Sequence, residues 1–123
     1  PQGFGVLAGR VPVFALPGNP VSVLVSFHVH VVPALRRLLG RTELRPLERA
    51  TAAVDWRCPP GRRQYLPALV DETGGPLPLV RPSAAGGSGS HLVASLAAAQ
   101  ALAVVPAELD AVTAGDEVGL LRW

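Results

Sequence analysis

Val11-Pro12-Val13-Phe14-Ala15-Leu16-Pro17-Gly18-Asn19-Pro20-Val21-Ser22 is the stretch on which the reading of this chain turns. Val11, Val13, Phe14, Ala15 and Leu16 form a short apolar run closed by Pro17-Gly18, which predicts a buried strand in a covered sheet. Asn19 then stands where a helix cap belongs, and Pro20 takes the first helical position, where a missing N–H costs nothing. Leu24, Phe27, Val31, Leu35 and Leu38 recur at helical spacing, and Gly40 sits where a C-terminal cap is expected. The valines at 21, 23, 25, 29, 31 and 32 favour a strand instead, but the start and stop signals outweigh them. Pro33 should kink or divide the helix near its last turns. Residues 11–40 thus read as strand, tight loop and helix.

Working outward, Arg41 to Arg49 is charged, carries Pro46 and separates that pattern from a segment of different texture. The expected organisation is an α/β piece over residues 1–45 and a second domain over 46–123. In the second part Ala50 to Cys58, Arg63 to Val70, Leu77 to Arg81, Ala101 to Val105 and Glu117 to Leu121 are strand candidates. Pro59-Pro60-Gly61, Gly74-Gly75-Pro76 and Thr113-Ala114-Gly115-Asp116 separate them as turns. So many short strands in so few residues predict a small closed or partly closed all-β barrel. His91 to Ala99 reads as a short helix. Before it, the run from Ala84 to Ser90 has the composition of a linker but lies inside the barrel domain, which suits a functional loop.

Composition narrows the chemistry. Hydrophobic residues make up 49% and charged residues 16% of the 123, so the chain should fold. Thirteen Gly and thirteen Pro favour short elements over long uninterrupted helices. All eleven basic residues are Arg, which removes Schiff-base lysines, lysine general bases and the P-loop lysine from this stretch. Met is absent and the chain starts at Pro1, so it reads as part of a larger parent. Between Arg36 and Arg63, eight Arg against Glu43, Glu48 and Asp55 leave +5, whereas residues 64–123, with two Arg and six acids, carry −4. That swing suits an anionic ligand, a contact with another subunit, or merely a solvated helix end and linker. The chain has only six aromatic residues, and the basic run is not interleaved with base-stacking aromatics, which argues against nucleic acid. Cys58 is alone and cannot form an internal disulfide or a CxxC pair. No segment has the form of a signal peptide, and Ser26, His28, His30 and Pro33 interrupt the longest apolar run. A soluble, cytoplasmic protein without membrane or nucleic-acid partners is expected.

The loop Pro17-Gly18-Asn19-Pro20-Val21-Ser22 would lie at the carboxyl end of a strand, where α/β sheets place ligands. The following helix start would add free N–H groups suited to an oxyanion, with the Ser22 hydroxyl beside them. The same residues also suit an ordinary strand-to-helix turn capped by Asn19. His28 and His30 are two apart on a helix and make a poor metal pair. His91 could donate to an anion, and Asp116 and Glu117 suit a turn role better than paired carboxylates.

Val11 to Ser22, with Phe27 and Val32-Pro33-Ala34-Leu35-Arg36-Arg37-Leu38-Leu39-Gly40, resembles the C-terminal part of the molybdopterin molybdenumtransferase family, which includes the bacterial MoeA proteins and the gephyrin E domain. Pro60-Gly61-Arg62-Arg63-Gln64-Tyr65-Leu66 is similar to that family's Gly-Arg-x-x-Phe/Tyr strand. Ser88-Gly89-Ser90-His91-Leu92 with Ser95-Leu96-Ala97 resembles its Gln-Gly-Ser-Gly loop and helix, and Ala114-Gly115-Asp116-Glu117-Val118 its closing turn and strand.

The resemblance implies a parent enzyme that inserts molybdate into adenylylated molybdopterin with Mg²⁺ assistance. It further implies a homodimer in which the α/β domain of one subunit faces the small β-barrel of the other. On that basis the chain starts just before the last strand of the α/β domain, and the main catalytic residues lie upstream. Pro17, Gly18, Asn19, Pro20 and Ser22 match the ligand-side loop, and Ser88, Gly89 and Ser90 match the barrel loop that reaches the partner's pocket. No metal ligand is assigned in this chain, and the fragment alone is expected to be inactive. Several family members carry an Arg where this chain has Pro67, a charge that Arg62 or Arg63 would have to replace. The alternative is a non-catalytic dimerisation or partner-binding barrel module.

Overall fold

The computed structural model describes residues 2–42, 45–84 and 93–123. The chain divides into two compact units, Pro1–Leu44 and Arg45–Trp123.

In the first unit, strands β1 (Gly3–Leu7) and β2 (Val11–Ala15) form an antiparallel hairpin with Gly3 opposite Ala15 and Leu7 opposite Val11. The turn closes with Arg10 N–H donating to the Leu7 carbonyl, and both Ala8 (φ 49°) and Gly9 (φ 70°) adopt the left-handed conformation. Such a turn matches the twist of the two strands. The expected strand is therefore neither alone nor buried: Val11 and Val13 stay about half exposed. No parallel strand stands beside β2 among the described residues of this unit, so the expected α/β sheet is not formed by them. The sequence reading missed β1 because its glycines weaken the strand signal.

Helix α1 (Pro20–Ser26) runs through a π-helical turn (Phe27–Val31) into α2 (Val32–Leu38). At the turn the Val32 N–H reaches the Phe27 carbonyl, five residues back. Pro33 has no N–H to offer and its ring would crowd the carbonyl four residues earlier, so a widened turn just before it relieves both constraints. The strain expected from Pro33 thus emerges one turn upstream. Gly40 (φ 75°) closes the helix, with Gly40 N–H donating to the Arg37 carbonyl and Arg41 N–H to that of Arg36. This pair of bonds is a Schellman cap. Pro20–Leu38 is a helical run of 19 residues, longer than the Gly and Pro content suggested, and by length and composition it could cross a membrane. Val21 near its start is buried, but its far end lies in water: Leu38 and, just beyond it, Leu39 are 66% and 77% exposed.

The second unit is a closed five-stranded barrel. Around it run β3 (Glu48–Ala52), β6 (Leu79–Pro82), β5 (Gln64–Asp71), β7 (Ala101–Val105) and β9 (Glu117–Arg122), with β9 paired back onto β3. Only the β3–β6 pair in the barrel is parallel. Ala50, Ala52, Val80, Ala101, Val105, Val118 and Leu120 form the main buried cluster, and Leu66, Ala68 and Ala103 a second one, with Trp56 against both. Small alanines alternating with larger side chains suit the narrow interior of so few strands. A Cβ at Gly119 would lie 3.2 Å from the Val104 Cβ, so glycine keeps β7 and β9 in close pairing there.

The strand expected over Ala50 to Cys58 is two. β3 ends at Ala52, the chain turns at the barrel corner, and β4 (Trp56–Arg57) pairs with β8 (Ala111–Val112) as a separate ribbon. β8 was not anticipated, since two residues carry no readable period. Helix α3 (Val93–Ala98) lies against β5. In the turn before β9, Asp116 accepts a hydrogen bond from Thr113 N–H at 2.8 Å, the turn role anticipated for it.

Candidate functional site

The loop after β2 is held by Asn19. Its side-chain oxygen accepts from the N–H groups of Val21 (3.0 Å) and Ser22 (3.3 Å), while its main-chain carbonyl accepts from Val23 N–H (2.8 Å). Pro20 has no N–H. Every first-turn amide is consequently satisfied within the chain, where free donors for an oxyanion were expected, and a ligand seeking them would have to displace Asn19. What the loop can still offer is the hydroxyl of half-buried Ser22, the exposed backbone at Gly18, and the Asn19 amide nitrogen. Pro17 is half buried and Pro20 exposed. These five residues lie within one six-residue stretch, Pro17 to Ser22, interrupted only by buried Val21. Ser88, Gly89, Ser90 and His91 lie outside the described residues.

The helix presents its two described imidazoles differently. His28 meets the Phe27 ring edge-on, with centroids 5.5 Å apart. His30 Nε2 is 2.9 Å from Gln2 Nε2, and Gln2 also accepts from the Ser26 hydroxyl at 2.8 Å. Gln2 therefore ties the start of the hairpin to the helix, a link spanning 24 to 28 residues that no local signal announces. Between the hairpin and the helix lies an open cleft of about 410 Å³, lined chiefly by Phe4, Phe14, Leu16, Val29 and Ala34, with Gln2 and His30 among its lining residues.

In the barrel, β5 organises the counterpart region. The Pro67 carbonyl accepts from Ser83 N–H (2.8 Å), and the Ala68 carbonyl accepts from Gln100 N–H (2.9 Å). The Gln100 side chain accepts in turn from Val70 N–H at 2.9 Å. Both ends of the segment that carries Ser88 to His91 are thereby tied to adjacent residues of one strand. Pro67 is tolerated inside β5 because its backbone faces Ser83, one residue past the end of β6, so the missing N–H takes no bond from the β5–β7 ladder in which Pro67 pairs with Leu102. Arg62 and Arg63 are exposed in the turn before β5. Arg81 pairs with Leu69 in the ladder and so lies diagonally beside Pro67 on the same face, a neighbour that sequence spacing could not reveal.

Part of the charge asymmetry is consumed within the barrel. Arg49 forks onto Glu117, with Nε to Oε1 at 2.7 Å, and Arg122 bridges Glu48 (2.8 Å) and Glu72 (2.7 Å). The Arg45 guanidinium donates to the Arg122 carbonyl. The hydrogen bond from Arg49 holds the Glu117 carboxyl below its usual range, and that from Thr73 does the same for Asp71. Cys58 is 4% exposed and its thiol is pushed up by burial, which the Trp56 indole partly opposes. It is a core thiol and no nucleophile.

Among the described residues, no three of His, Cys, Asp and Glu gather as metal ligands. Glu48, Glu72 and Glu117 are held by arginines, Asp71 by Thr73, and Asp55 and Asp116 by backbone N–H groups. These carboxylates do not fit a magnesium site.

The closed five-stranded barrel falls within a known class: residues 49–123 match the MoeA C-terminal region (domain IV). The chain belongs to the MoeA family. It is 38% identical over 119 residues to molybdopterin molybdenumtransferase 2 of Mycobacterium tuberculosis (strain H37Rv), covering 96% of this chain and 28% of that protein. To molybdopterin molybdenumtransferase 1 of the same organism it is 40% identical over 122 residues, covering 95% and 28%. Among solved structures, a molybdopterin biosynthesis MoeA protein of Pyrococcus horikoshii superposes with a TM-score of 0.73 at 32% identity, over 99% of this chain and 28% of that one. A molybdenum cofactor biosynthesis protein of Pyrococcus furiosus gives 0.68 at 27% identity, over 96% and 43%. The likeness therefore includes the hairpin and helix as well as the barrel. The chain spans about 28% of the length of the curated relatives it matches.

Proposed function

We propose that this chain is the C-terminal part of a cytoplasmic molybdenum cofactor biosynthesis enzyme that inserts molybdate into adenylylated molybdopterin. The observation that carries the reading is the barrel itself: β5 holds both stems of the Ser88 to His91 segment, on a chain 38–40% identical to named molybdopterin molybdenumtransferases. In this reading residues 1–45 complete an α/β domain with upstream chain. The enzyme is a homodimer, and the loop Pro17 to Ser22 of one subunit shares a site with Ser88, Gly89 and Ser90 of the other.

The work of this chain's residues is positioning. Hydroxyl donors at Ser22 and Ser90 orient anionic oxygens of the substrates, and the glycines of the two loops, Gly18 and Gly89, let backbone come close. Asn19 keeps the loop in shape by capping the helix. No group of three metal-ligating side chains stands among the described residues, so magnesium, implied for the parent, is held chiefly by other parts of it, and the 123-residue chain alone is inactive.

Two alanine variants of the parent test this. Each of Ser22→Ala and Ser90→Ala should weaken binding or turnover by about 1.5 to 3 kcal/mol, the worth of a hydrogen bond to a charged oxygen. Mixed dimers carrying Ser22→Ala on one subunit and Ser90→Ala on the other should keep about half the activity, because one site holds both lesions and the other neither. Single variants with wild-type kinetics, or mixed dimers as inactive as the double variant, would overturn the shared site. A second reading, a non-catalytic dimerisation module, draws on the satisfied amides of the Asn19 cap, which make the loop an ordinary turn. Loss of activity in the two single variants would exclude it.

A further inference from the structure

We draw no further inference here: the strongest candidate, the apolar cleft of about 410 Å³ between the β1–β2 hairpin and the helix of the first unit, is an unpartnered face, and nothing in the structure shows what covers it.

Discussion

The two units solve the burial problem in opposite ways. In the barrel, Leu102 and Leu120 are fully buried, and the sheet closes on itself so that no barrel strand is left as an open edge. In the first unit a two-stranded hairpin and one helix leave Phe4 67% exposed, with Val6, Leu7 and Leu38 also largely in water. A hairpin has one ladder and two free edges, and a helix beside it covers at most one face. Closure, more than hydrophobic content, separates a self-sufficient fold from one that needs further partners.

Hydrogen exchange on a verified monomer should show the contrast at its largest. Central amides of β7 and β9 should exchange about 1,000-fold or more slowly than those of residues 11–40, since they open only with global unfolding. Equal protection in the two regions would break the comparison. At the level of single side chains, Leu120→Ala should cost about 2 to 5 kcal/mol in chemical denaturation, because it leaves a cavity in a closed interior. Leu39→Ala, at a site 77% exposed, should stay within about 0.5 kcal/mol.

The helix cap gives an intermediate effect. Asn19→Ala removes the acceptor for two amides and should cost about 0.5 to 2 kcal/mol of helix stability, read by circular dichroism, while Asn19→Asp keeps the cap. An alanine variant as helical as the parent would show that something other than Asn19 fixes the loop.

The smallest effect belongs to the exposed Arg49–Glu117 pair. Glu117 has a depressed folded-state pKa, so its contribution is present above the unfolded carboxyl pKa of roughly 4.3 and is lost as pH falls through the lower folded value. Thermal melts from pH 7 downward should show Arg49→Ala losing less stability on the acid side than the wild type. Identical acid limbs would show the pair to be energetically silent, as many surface pairs are.

What the sequence determined by itself was whatever the backbone settles within a few residues. The Asn19 cap, the Gly40 stop and the Asp116 turn were all legible, because each is a local hydrogen-bonding or left-handed requirement met by one residue type. The barrel was legible as a count of short strands and as a family resemblance. Tertiary structure alone decided that Ala50 to Cys58 breaks into β3 and β4, that Ala111–Val112 pairs with Trp56–Arg57, and that β3 joins β6 and β9 to close the ring. It also decided that Gln2 reaches His30 and that Arg81 lies beside Pro67. These pairings join residues far apart in the chain. They depend on which apolar faces exclude water together, and residue spacing along one strand or helix does not encode that choice.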